Sequence, residues 1–328
     1  GIRTWETPEI TAINRLPARA TLVPYPSEAA AQRGNAGTSS LVRSLNGTWR
    51  FRLFACPEDV PATAVGPAGG DTDWDEVDVP GNWTMQGYDR PHYTNVGVPL
   101  PTPMPTVLPD DNPTGLYRTT FSLPKGWTSR RTVIHFGGAE SVLYCWVNGH
   151  AVGMGKDSRL PSEFDISPYV KTGKNTVAAM VVRWSDSTFI EDQDHWWMAG
   201  IHREVYVYST APTHIDDVFV RGTFSESDGC ALSVDVEVGF PGDRREAGWS
   251  VRARLLDDRE RNLLPKSTAA DVQTGPHGGY AHGWNFRRPE AHLACSVRRA
   301  KPWSAETPNL YVLVVELVSP AGEAVEAT

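Results

Sequence analysis

No run of 18 apolar residues occurs in the 328-residue sequence, so no membrane-crossing helix is predicted. The opening GIRTWETPEI has no basic-then-apolar pattern, which gives no secretory signal. Positive charge is in deficit. The formal net charge is −8, which argues against a nucleic-acid partner, because such binding needs a basic footprint. One short basic group, Arg287, Arg288, Arg298, Arg299 and Lys301, lies among acidic residues and reads as a solvated strand face. Cysteine is scarce: Cys56, Cys145, Cys230 and Cys295 are far apart, with no CxxC pair to suggest zinc or redox chemistry. Cys145, inside VLYCWVNG, reads as a small core residue, and four reduced thiols fit a cytoplasmic location. The sequons at Asn46 and Asn82 would matter only in a secretory compartment. Catalytic signatures are missing too: no Gly-rich phosphate loop between strand and helix, no HExxH, no GxSxG.

Long helical periodicity is also nearly absent. The best helical stretch is Ser27–Gln32, SEAAAQ, with a serine N-cap. What is there instead is a series of short strands with turn signals between them: Thr48–Phe54, Leu116–Leu123, Thr132–Phe136, Val142–Val147, Thr176–Trp184 and Glu204–Tyr208. Asn148–Gly149, in WVNGHAV, predicts a tight hairpin, since both residues tolerate positive φ. Residues 57–75 and the six-proline stretch 97–114 read as long loops, because proline lacks the N–H that a central strand needs. The length allows about two domains, and a boundary is expected near Ser209–Pro212. Beyond it Leu232, Val234, Val236 and Val238 alternate with Ser233, Asp235 and Glu237, the pattern of a half-buried antiparallel strand. The fold class is therefore all-β: a jelly-roll sandwich over 1–210, then an immunoglobulin-like sandwich over 211–328.

Four runs are dense in polar and aromatic residues: SLNGTWRF (44–51), VPGNWTMQGYDRPHYTNV (79–96), GKDSRLPSEFDIS (155–167) and RWSDSTFIEDQDHWWMAGIHRE (183–204). Each also has a plain structural reading. Trp49 fits a core strand, and Arg159 fits a loop ion pair with Asp157, Glu163 or Asp165. Asn95 is either a turn residue or an amide that gives and takes hydrogen bonds with a sugar hydroxyl. Asp194 is either a surface carboxylate or a partner for Arg203, or else a hydroxyl acceptor or ligand for a hard cation. Glu191, Asp192 and Asp194 are too close in sequence to be assigned as the two carboxyls of a glycosidase, which normally come from separate elements.

Taken together these runs resemble the N-terminal part of glycoside hydrolase family 2 β-galactosidases of the bacterial lactose-splitting type. The likeness starts at WETPEITAINRLPARA and resumes at PWSAETPNLYVLVVEL (302–317), so it covers essentially the whole chain. The resemblance implies a sugar-binding-like jelly roll, an immunoglobulin-like sandwich, and then a TIM barrel that carries both catalytic glutamates and the main magnesium site. No catalytic residue is expected in this chain, which ends at Thr328, and the second sandwich is expected to lack its last strand and to leave an unpaired edge after Leu310–Ser319. The resemblance makes Asn95 and Asp194 substrate-binding, with Asp194 also helping to hold a sodium ion, and Trp196 and Trp197 the anchors of that loop. Magnesium and sodium are implied for the full enzyme, with neither held tightly by this chain alone. In the family's first-domain magnesium site a glutamine precedes DSRLPSEFD; Lys156 stands there here, although Asp186 remains. The implied partner is a β-galactoside in a homo-oligomeric parent. The alternatives are a lectin-like carbohydrate-binding module, or a piece of a family 2 β-glucuronidase or β-mannosidase.

Overall fold

The computed structural model describes residues 2–66, 70–95, 97, 100–191, 193–242, 245–265, 268–274 and 288–328; Asp192 and Arg287 lie outside the described residues. The chain divides into two compact units, one of residues 1–18 and 43–208, the other of 19–42 and 209–328.

The first unit is a β-sandwich. Its large sheet has the order Ala12–Ile13, His150–Gly155, Val142–Val147, Gly173–Val182, Thr114–Leu123, Gly47–Phe54, Asp75–Val79; the opposing sheet runs Ser162–Asp165, Arg131–Phe136, Val205–Thr210, Val42–Ser44. Alternate residues of the two sheets meet in one core. Trp49, Phe51, Tyr117 and Val177 come from the first, and Ile134, Phe136, Phe164 and Val207 from the second. Phe51, Trp83 and Tyr117 form its aromatic centre, with ring centroids 4.8–6.3 Å apart. Each large side chain buried there stabilises by about 1.5–3 kcal/mol relative to exposure. The outer face of the large sheet is apolar as well. Leu116, Val142, Met154, Met180 and Val182 lie on it, with Trp5 and Ile10 packed against them.

The predicted hairpin is present: Asn148 and Gly149 have φ of 51° and 85°, between Val142–Val147 and His150–Gly155. The strands Gly47–Phe54, Thr114–Leu123, Arg131–Phe136, Val142–Val147, Gly173–Val182 and Val205–Thr210 appear within a few residues of the sequence expectation.

The second unit pairs His214–Ser225, Gly229–Gly239 and Glu290–Val297 in one sheet, and Ala269–Asp271, Ser250–Leu256, Val312–Val318 and Ala324–Ala327 in another. Leu232, Val234, Val236 and Val238 are buried, as their alternation requires. Two expectations are corrected. The edge after 310–319 is not free: Ala324–Ala327 pairs with Val312–Val318 after a turn through Gly322, and Tyr25 bridges to Ala327 on its far side. Residues 19–42, expected within the first domain, group with the second unit. Tyr25 and Ala31 share a small core with Leu256, Val314 and Ala327, and the helix Glu28–Gln32, capped by Ser27, pairs Glu28 with Arg254.

Candidate functional site

The stretch that joins acidic residues to tryptophans becomes one strand of a two-stranded ribbon. His195–Trp197 pairs antiparallel with His92–Thr94, with His195 opposite Thr94 and Trp197 opposite His92. Asn95 and Asp194 are therefore the next residues out from the last pair, on the same end of the ribbon, and both are exposed. Tyr93 Oη donates to Asp194 Oδ1 at 2.6 Å, and that bond pushes the Tyr93 phenol up. Asp194 Oδ2 has no hydrogen-bond partner among the described residues. Arg203, the alternative partner for Asp194, instead donates to the Arg159 carbonyl at 2.9 Å.

The two tryptophans separate. Trp197 is 1 % exposed and packs with Leu100, Val107 and Trp184, and its indole N–H donates to Thr94 Oγ1 at 3.1 Å. Trp196 is 59 % exposed and faces Tyr93, ring centroids 5.5 Å apart. Only Trp197 anchors the ribbon. Neighbouring residues on a strand point to opposite faces, so both could not enter one core.

Beneath the ribbon lies a charged scaffold that the sequence reading did not single out. Arg183, fully buried, pairs with Asp89, donates to His92 Nδ1 at 3.1 Å and to the Trp197 carbonyl at 3.3 Å. Burial and Arg183 push the His92 imidazole down, which keeps it a neutral acceptor. Glu140 accepts from the Met198 N–H at 3.1 Å and from Arg159 at 3.4 Å, and burial pushes its carboxyl up. The Arg159 guanidinium thus reaches Glu140 rather than Asp157, Glu163 or Asp165, while its main-chain N–H donates to Asp157. Asp89, His92 and Arg183 lie within the dense runs and Glu140 outside them, but their pairing is long-range and no local pattern encodes it.

The open end of the ribbon offers an amide, a carboxylate and two exposed aromatic faces. Amides and carboxylates bind vicinal hydroxyls, and aromatic faces suit the C–H face of a sugar. Among the described residues no group of three or more His, Cys, Asp or Glu is placed to hold a metal ion.

At the implied first-domain magnesium position, Lys156 Nζ donates to Asp186 Oδ2 at 2.7 Å and to the Thr7 carbonyl at 2.9 Å. These residues do not fit a divalent cation. An ion about 4 Å from that ammonium would meet a repulsion of ~8 kcal/mol at an effective dielectric constant of about 20.

Comparison with known proteins agrees with this architecture. Residues 42–212 match the sugar binding domain of glycosyl hydrolases family 2, and residues 213–328 match a second family 2 domain. The chain belongs to glycosyl hydrolase family 2. Curated family 2 relatives include a β-galactosidase of Psychromonas ingrahamii, 37 % identical over 99 % of this chain and 30 % of that protein. Another is a β-galactosidase of Pectobacterium atrosepticum, 39 % identical over the same shares. The chain thus spans about 30 % of the length of the curated relatives it matches. A solved β-glucuronidase of Bifidobacterium dentium superposes with a TM-score of 0.65 at 19 % identity, over 88 % of this chain and 47 % of that one. At that identity it shows the fold alone.

Proposed function

We propose that this chain forms part of the galactose pocket wall of a retaining β-galactosidase acting on terminal β-D-galactose residues, as in lactose. The two reacting carboxyl groups would lie on a part of the enzyme outside this chain. The observation that carries the reading is the ribbon register, which brings Asn95 and Asp194 to one open end with Tyr93 bonded to Asp194. Paired hydroxyl recognition of this kind discriminates sugars strongly, because a wrong epimer leaves polar groups unpaired. Asp194 Oδ2 is suited to help hold a sodium ion, a hard cation that takes oxygen ligands. The β-galactosidase relatives favour galactose over glucuronic acid, and the four free cysteines fit a cytoplasmic enzyme.

With the catalytic pair placed elsewhere in the enzyme by this reading, the chain alone should release no chromophore from a nitrophenyl β-galactoside. Titration calorimetry with galactose and lactose should show no binding tighter than millimolar, because Asn95 and Asp194 alone make an open half-site. Turnover by the isolated chain would refute the reading. Sub-millimolar binding would favour the lectin-like alternative, to which the exposed Tyr93–Trp196 pair would then belong.

A further inference from the structure

Lys156 and Asp186 are 5 % and 7 % exposed, and they pair inside the first unit, at the wall of a cavity of about 460 Å³. A buried ion pair is costly unless other groups complete its hydrogen bonds, and here one N-terminal segment supplies several of those groups. Lys156 Nζ reaches the Thr7 carbonyl, the Lys156 N–H donates to the Thr11 carbonyl at 3.0 Å, and Arg15 donates to the Lys156 carbonyl at 2.6 Å. The Asp186 N–H donates to the Trp5 carbonyl at 2.8 Å. Trp5 and Ile10 of that segment are among the residues that pack on the apolar outer face of the large sheet. The ammonium therefore sits between a carboxylate and a main-chain carbonyl, two oxygen ligands of the kind a hard cation takes. Asp186 Oδ1 is buried without a partner, so half of the carboxylate's acceptor capacity is unused.

We propose that the Lys156 ammonium is a resident cation at this position. It fastens residues 4–15 over the sheet and makes their docking independent of divalent metal. Charge and position do the work: one positive centre bridges Asp186 to Thr7, and nothing needs to be taken up from solution. Glutamine at 156 would bring a neutral oxygen in place of the ammonium. Together with Asp186 and the Thr7 carbonyl it would leave a set of oxygens open to a metal ion.

The test uses this chain as it stands and a Lys156→Gln variant, each melted in EDTA and in magnesium chloride, with sodium chloride matched for ionic strength. Limited proteolysis of residues 1–15 is followed in parallel. The wild-type melting temperature and N-terminal protection should be the same in chelator and in magnesium. K156Q should melt lower and be cut faster in chelator, and magnesium should restore both in a saturable way. A wild-type chain that is specifically stabilised by magnesium, or a K156Q chain indifferent to it, overturns the proposal. If K156Q does not accumulate folded, it is refolded from urea in magnesium and in EDTA. Recovery in magnesium alone supports the proposal; equal recovery in both, or none, overturns it.

Discussion

Adjacent tryptophans show how far apart two neighbouring residues can be in consequence. Trp197 fills the space between Trp184, Leu100 and Val107, while Trp196 stands in solvent against Tyr93. Trp197→Ala should cost about 3–5 kcal/mol, as removal of a buried tryptophan does. Trp196→Ala should cost less than about 1 kcal/mol, since only a ring pair is lost. Urea melts of the two variants check this, and equal losses would place Trp196 in the core. Titration gives a second residue-scale prediction. The His202 imidazole is pushed below its ordinary value by burial, with Arg159 and Arg203 adding to the effect, while its Nε2 meets the Ser158 carbonyl at 2.8 Å. His92 is lowered in the same direction. Below the ordinary histidine value of about 6.5 the unfolded chain takes up protons that the folded chain does not. The stability that these neutral histidines allow is thus complete above that pH and is lost as pH falls toward their lower folded-state values. Glu140 acts in the opposite sense, so the comparison is between chains: His202→Gln should lose less stability than wild type between pH 7.5 and 5.5 in urea melts. Identical pH profiles would contradict the assignment.

Elements were legible where the signal was local. Asn148–Gly149 marked its hairpin because two residues with positive φ close a two-residue turn, and only glycine does so without strain. Gly149→Ala, at φ 85°, should cost about 1–2 kcal/mol. Thermal melts check this, and an unchanged melting temperature would mean that the turn relaxes. Ser27 marked its helix through the cap it provides, accepting from the Ala30 N–H at 3.3 Å. The alternation over 232–238 marked a strand that the structure buries on one face. Long-range pairing was not legible. Nothing in HYT and HWW says that they pair across about a hundred residues, nor that Arg159, in a loop, meets Glu140 on the strand Ala139–Glu140. Strand alternation in His195–Trp197 does carry the information that Trp196 and Trp197 must part. The segment 19–42 has no repeating pattern, and its place beside Ala324–Ala327 is set by Tyr25 and Ala31, which look unremarkable in sequence.

At the scale of the molecule, two β-sandwich units match two family 2 domains, and together they span about 30 % of the length of their β-galactosidase relatives. The proposed division of labour follows. In that proposal the ribbon, held by Arg183, Glu140 and Trp197, would present Asn95 and Asp194 to a sugar, and the reacting acids would come from elsewhere in the enzyme. The most direct test is the steady-state kinetics of the full-length enzyme with Asn95→Ala or Asp194→Ala, measured on a nitrophenyl β-galactoside beside the melting temperature. Losing the hydrogen bond that a sugar hydroxyl would donate to a charged carboxylate should lower kcat/KM about 10–100-fold for Asp194→Ala. The loss for Asn95→Ala should be smaller, and the melting temperature should not change for either exposed residue. Wild-type kcat/KM in both variants would contradict the account.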